Sequence, residues 1–121
     1  MSYIPVGVAS PLEFQRLVAA ALNPLLQGLF PVNSTTSSIT IAAETKLQLV
    51  DATSGPVTIT LPTALEATNR VLTVKKVDAT ANAVTIDGSG TETIDGAATR
   101  SITAQWDSMT IVSNGTTWYR I

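Results

Sequence analysis

The first thirty residues carry a helical pattern of apolar positions. Between residues 10 and 29 apolar side chains recur every three or four positions, which predicts one stripe along a helix. Ser10, Pro11 and Glu13 form a capping box with proline at the favoured first helical position. Pro24 removes an amide donor. We therefore expect a helix over residues 11–22, a kink, and a short second turn that ends at Gly28.

This predicted helix is too short to bury its own stripe. A single amphipathic helix of about three turns is marginal in water unless its apolar face packs against something else. We therefore interpret residues 1–30 as an N-terminal helical anchor segment that contacts symmetry-related copies or another protein. The candidate contact residues are Leu12, Phe14, Leu17, Val18, Leu22, Leu25 and Leu26.

The rest of the chain is predicted to be β structure. Residues 31–38 are small and polar without periodicity, so we expect a linker or extended arm before a β domain over residues 39–121. In residues 57–61 every second position is apolar, which is typical of a strand with one buried face. The candidate strands are residues 38–43, 46–51, 57–61, 70–77, 83–87, 92–95, 100–104, 108–113 and 117–121.

Glycine-containing turns separate these candidate strands. Asn114-Gly115 lies between two of them and predicts a hairpin with a type I′ turn. The sequence Thr-Ile-Asp-Gly occurs at residues 85–88 and again at residues 93–96. This echo predicts two similar short strands, each of which ends in an Asp-Gly turn.

The same region contains the best candidate for a metal site. Asp87, Glu92 and Asp95 are interspersed with glycine and hydroxyl residues, as in a fragment of a calcium-binding loop. The distal bidentate glutamate of a full loop is missing, and Asp-Gly is a common turn sequence. We therefore predict a pair of turns, with no metal and no cofactor.

Charge and composition then narrow the classes of partner and of chemistry. The net charge is −2, whereas nucleic acids and anionic membranes attract basic surfaces, and no apolar run is long enough to span a bilayer. We expect neither nucleic acid binding nor membrane insertion. Cys and His are absent, which excludes thiolate and imidazole chemistry and the metal sites built on them. The carboxylates lie mainly at predicted strand ends and in loops, so we predict no catalytic residues.

Two observations point to contacts with other molecules. Charged residues make up only 13% of the chain, about half the usual share, and the apolar surface that this leaves is commonly a subunit interface. Trp106, Trp118 and Tyr119 are candidate glycan contacts, because aromatic rings can line a sugar-binding surface. The alternative, which we favour, is that these rings pack in the core or at an interface.

Part of the chain resembles a β module that recurs in virion structural proteins of bacteriophages. The resemblance covers residues 45–121, about two thirds of the chain, and includes tail-fibre, baseplate-associated and head-fibre or decoration proteins. The segments that carry it are VTITLP at 57–62, VLTVKKVD at 71–78, ANAVTI at 81–86, ETIDGA at 92–97 and SNGTTWYRI at 113–121.

The resemblance implies a homotrimer that lies on the surface of the virion after synthesis in the cytoplasm of a bacterial host. We accordingly expect a mainly β fold, an antiparallel β-sandwich or β-prism-like domain with one N-terminal helix. Its function would be that of a short knob or spike that decorates or cements capsid, neck or tail. The first alternative is a module that binds a receptor or host surface glycan, and the second is a polysaccharide-cleaving enzyme whose cleft is shared between subunits.

Overall fold

The structure is a computed structural model and describes residues 32–121. The predicted helix, the kink at Pro24 and the candidate contact residues of the anchor segment lie outside the described residues. Residues 32–121 are mainly β and contain no helix, which confirms the mainly β structure predicted for residues 39–121. The described part accordingly has no helix that is long and apolar enough to cross a membrane.

Nine strands make up the described part of the chain. Eight of them overlap candidate strands from the sequence, whereas β1 lies within residues 31–38, where we expected a linker or extended arm. The strands are β1 Val32–Thr35, β2 Ile39–Thr40, β3 Leu47–Val50, β4 Val57–Thr60, β5 Val71–Lys76, β6 Val84–Asp87, β7 Thr99–Ile102, β8 Ser108–Ser113 and β9 Trp118–Arg120.

The strands form two sheets between which the chain alternates. The order in the five-stranded sheet is β1-β3-β5-β8-β9, and the order in the four-stranded sheet is β2-β4-β6-β7. From β1 to β6 the strands alternate between the two sheets, so that β1, β3 and β5 lie in the five-stranded sheet and β2, β4 and β6 in the four-stranded sheet. Within each sheet these strands pair in parallel. The chain thus makes three turns of a flattened coil. Strands β7, β8 and β9 then add antiparallel pairs.

The expected antiparallel sandwich is therefore wrong in its strand pairing. Four of the seven strand pairs among residues 32–121 are parallel, and the two sheets are mixed. Sequence neighbours in all-β proteins usually pair as hairpins, whereas here consecutive strands from β1 to β6 enter different sheets. Alternating polarity predicts which side of a strand is buried. It carries no information about which strand lies beside it.

The hydrophobic core lies between the two sheets. The alternation predicted for residues 57–61 is confirmed, because Val57, Ile59 and Leu61 are buried while Thr58 and Thr60 are half-buried. The same pattern in β6 buries Val84 and Ile86. Each fully buried aliphatic side chain of this kind stabilises the fold by about 1.5–3 kcal/mol.

Two of the predicted turns differ from expectation in their detail. The hairpin between β8 and β9 is present, but only Gly115 has positive φ in its turn, whereas a type I′ turn needs two such residues. The two positive φ values occur instead at Asp95 and Gly96, between the mutually hydrogen-bonded Ile94 and Ala97. Residues 92–95 are not a regular strand, because Ile94 forms isolated bridges only.

Candidate interaction surface

Apolar side chains occupy six of the eleven outward positions of the five-stranded sheet, and the other five carry Ser34, Thr73, Lys75, Ser108 and Thr110. Inward residues alternate with half-buried or exposed ones along β3, β5 and β8, and the register aligns the outward residues in rows across the sheet. Among the apolar residues at these positions, Val32 is 60% exposed and Tyr119 is 44% exposed. Lys75 is the one charged side chain among the outward positions of these described strands. We call this surface the apolar face; its apolar members are Val32, Leu47, Leu49, Val71, Val112 and Tyr119.

The outward side of the four-stranded sheet has the opposite character. Its outward positions carry hydroxyl groups and a single carboxylate, that of Asp87. We call this surface the hydroxyl face; its members are Thr40, Thr58, Thr60, Thr85, Asp87, Thr99 and Ser101. On the five-stranded sheet, by contrast, the row of Val71, Val112 and Tyr119 is apolar throughout. Contiguous exposed apolar patches mark interaction sites.

An open depression lies at one end of the apolar face. It has a volume of about 510 Å³ and is lined by Ser34, Thr35, Thr36, Leu49, Asp51 and Val77. Hydrogen bonds from the side chain and the backbone of Thr53 lower the pKa of Asp51, which therefore stays ionised at neutral pH. The depression thus combines apolar walls with hydroxyl groups and one carboxylate.

The three aromatic residues singled out from the sequence do not come together. Trp118 is 1% exposed and belongs to the core, which is the packing role that we favoured for these rings. Tyr119 lies in the row of Val71, at the start of β5, whereas the backbone N–H of Trp106 donates to the carbonyl of Lys76, at the end of β5. A strand of that length spans roughly 17 Å, so Trp106 and Tyr119 form no common stacking platform.

Trp106 is nevertheless presented to solvent in an unusual way. Its side chain is 60% exposed and its φ is 67°, a left-handed conformation that aromatic residues rarely adopt. The N–H of Trp106 donates to the carbonyl of Lys76 at 2.8 Å, and Nε2 of Gln105 donates to the carbonyl of Val77 at 3.2 Å. These bonds hold the loop before β8 against the end of β5, close to Val77 of the depression.

Two of the three acidic residues of the candidate calcium loop act as separate backbone acceptors. Oε1 of Glu92 accepts the N–H of Ala64 at 2.9 Å, and Oδ1 of Asp95 accepts the N–H of Arg120 at 3.2 Å. Asp87 lies in β6, where it is paired with Thr99. Within residues 32–121 no three acidic, Cys or His side chains converge on one point.

Sequence reasoning missed a buried ion pair between Lys76 and Asp78. The side chain of Lys76 is fully buried, and its Nζ lies 2.5 Å from Oδ2 of Asp78. Burial by itself would raise the pKa of Asp78, but hydrogen bonds from Lys76, Thr80 and Ala52 outweigh burial and hold its pKa well below the ordinary value. The one available signal in the sequence was the position of Lys76, which lies two and four residues after the apolar Val74 and Leu72 and therefore faces the same side of the strand.

This ion pair joins successive turns of the coil. Oδ1 of Asp78 accepts the N–H of Ala52, which follows β3, while Lys76 ends β5. Nδ2 of Asn82 also donates to the carbonyl of Ala52, at 2.8 Å. The cluster therefore satisfies backbone groups where the chain leaves the five-stranded sheet.

Comparison with protein-family models and with curated protein sequences gives no match to this chain.

Proposed function

We propose that this chain is a structural protein of a bacteriophage virion, a short trimeric knob or spike that decorates or cements the particle. The observation that carries the proposal is the contrast between the apolar face and the hydroxyl face. A domain with a group of apolar side chains on one outer sheet surface and only hydroxyl groups and one carboxylate on the other is suited to stand in an assembly with one side covered. The resemblance of residues 45–121 to the phage β module supports the same function.

The anchor segment, residues 1–30, would attach the knob to its neighbour on the particle. Its predicted leucine-rich stripe needs a partner surface, which capsid, neck or tail proteins would provide. A role in assembly also suits a chain without Cys or His, whose described carboxylates mostly accept hydrogen bonds from backbone or hydroxyl groups nearby. We therefore propose a mechanical function and no enzymatic one.

Immunogold electron microscopy of purified phage particles tests this proposal. An antibody raised against residues 32–121 should label intact particles at a constant position on the head, neck or tail. Particles from a phage that lacks the gene serve as the control. Wild-type particles without label, from lysates that contain the protein, would refute a virion location.

A second function, the binding of a host surface glycan, is favoured by one specific observation. Trp106 is exposed in a hydrogen-bonded loop close to the depression, and an exposed indole ring can stack on a sugar. Titration of the protein with host surface polysaccharide should then change its tryptophan fluorescence. The change should disappear in a Trp106→Ala variant, whereas buried Trp118 provides the unaffected background.

A further inference from the structure

The apolar face has two edges of unlike shape and chemistry. At the β9 edge, Tyr119 projects outward beside Val112, with its ring 44% exposed. At the ends of β1 and β3, next to Val77 after β5, lies the depression, whose walls include Leu49 and whose polar groups include Asp51. The strand order β3-β5-β8-β9 separates Leu49 from Tyr119 by three strand spacings, or at least about 14 Å.

We propose that the apolar face binds a second copy of this chain, with the Tyr119 edge of one copy packed into the depression of the next. This inference rests on the proposed function, because it assigns the surface through which the knob would assemble. The contact is heterologous when each copy places Tyr119 in the depression of one neighbour and receives Tyr119 of another neighbour in its own depression. Contacts of this kind generate closed rings when the rotation between copies closes, and three copies make a trimer.

The chemistry of the two edges favours a copy over an unrelated partner. Tyrosine has an apolar ring and a hydroxyl donor, and the depression has apolar walls around an ionised carboxylate and hydroxyl groups. The ring would contact Leu49 and Val77 while its hydroxyl donates to Asp51. Buried tyrosine hydroxyls generally find such a partner, and tyrosine is enriched at interfaces. Lys75 is the one charged side chain on the rest of this face, so the face offers no charge pattern complementary to a strongly acidic or strongly basic protein.

A cysteine pair tests this contact directly, because the chain has no cysteine of its own. The full-length Ser34→Cys/Val112→Cys variant keeps both Leu49 and Tyr119, because Ser34 lines the depression and Val112 lies beside Tyr119. Its two positions are three strand spacings apart within one chain, too far for a disulfide, whose Cα atoms lie within about 7 Å. Mild oxidation should therefore link separate chains into a covalent trimer on a non-reducing gel. The matched control is Thr40→Cys/Ser101→Cys, which is also three strands apart but on the hydroxyl face, and it should remain uncrosslinked.

A charge substitution gives an independent measurement. Wild-type protein should show three times the 12.7 kDa chain mass by light scattering, whereas Tyr119→Asp should shift toward the mass of one chain. Thr58→Asp on the hydroxyl face should stay trimeric. Circular dichroism of each variant checks that the β fold is retained.

The outcomes separate this inference from the proposed function. If the wild type is trimeric but the Ser34→Cys/Val112→Cys variant forms no crosslink, or if the Tyr119→Asp variant stays trimeric, the inference is overturned and the virion role is left intact. Such a result would mean that another partner covers the apolar face. A wild type that is monomeric at micromolar concentration would overturn both this interface and the proposed trimer.

Discussion

The parallel coil predicts an unusual disulfide between Thr58 of β4 and Thr85 of β6. These residues are direct partners in neighbouring parallel strands and both lie on the hydroxyl face. Adjacent strands are about 4.8 Å apart, which falls within the Cα separation that a disulfide accepts. A Thr58→Cys/Thr85→Cys variant should therefore form an intrachain bond on oxidation, although 26 residues lie between the two positions.

The expected stabilisation follows from the length of the loop that the bond closes. A loop of about 28 residues loses enough unfolded-state entropy to stabilise the fold by about 3.5 kcal/mol at 25 °C if the native geometry is unstrained. For a domain of this size each kcal/mol raises the Tm by roughly 4–8 °C. Allowing for strain, we expect the oxidised variant to melt about 10–20 °C above its reduced form.

The assay combines a non-reducing gel, mass spectrometry and thermal melts followed by circular dichroism with and without reductant. The control is Leu49→Cys/Thr58→Cys, which would be close together if β3 and β4 formed an antiparallel hairpin. In the structure these residues lie on the outer sides of different sheets, at least about 10 Å apart, so no intrachain bond should form. A bond in the control and none in Thr58→Cys/Thr85→Cys would refute the parallel pairing.

Three further predictions concern metal dependence, acid stability and the anchor segment. A strong chelator should leave the Tm unchanged, because Glu92 and Asp95 accept separate backbone N–H groups; a fall of several degrees would reveal a calcium site. Asp78→Asn should lower the urea midpoint at pH 7. Because the pKa of Asp78 is depressed in the folded state, its stabilisation is complete above the unfolded pKa and declines as the pH falls below about 4. The deficit of Asp78→Asn should therefore narrow at pH 3, and an equal deficit at both pH values would contradict this account. Deletion of residues 1–30 should leave the β circular-dichroism signal intact and abolish attachment to phage particles, since residues 31–121 form a compact unit of their own. Loss of the β signal would instead make the anchor segment part of the core.

Individual strands illustrate where the sequence pattern predicted the fold and where it did not. In β4 the alternation of valine, threonine and isoleucine agrees with the observed burial. In β3 hydrophobicity alone points the wrong way, because Gln48 is buried and its neighbours Leu47 and Leu49 are half-exposed. In β5, Lys76 faces inward and becomes fully buried because Asp78 neutralises its charge. The polarity of a side chain therefore predicts its burial only where no specific partner inside the fold compensates for the loss of water.

The aromatic residues and the depression likewise show what the sequence pattern can predict and what it cannot. The sequence pointed to Trp106, Trp118 and Tyr119 as a group, but neighbouring residues of a strand face opposite sides, so Trp118 enters the core while Tyr119 faces outward. The depression was not predicted, because its residues come from β1, β3 and the segments that follow them and from Val77. Only pairing across the sheet brings these segments together.

The sequence by itself determined that residues 39–121 are β, where most strands lie, and where several of the turns fall. These features are local, because they depend on the alternation of side chains and on the conformations that Asp-Gly and Asn-Gly favour. The tertiary structure decided the parallel pairing, the burial of Lys76 and Gln48, and the separation of outward residues into an apolar face and a hydroxyl face. Those features depend on contacts between residues far apart in the chain, and the strength of such contacts is not encoded in the pattern of any one strand.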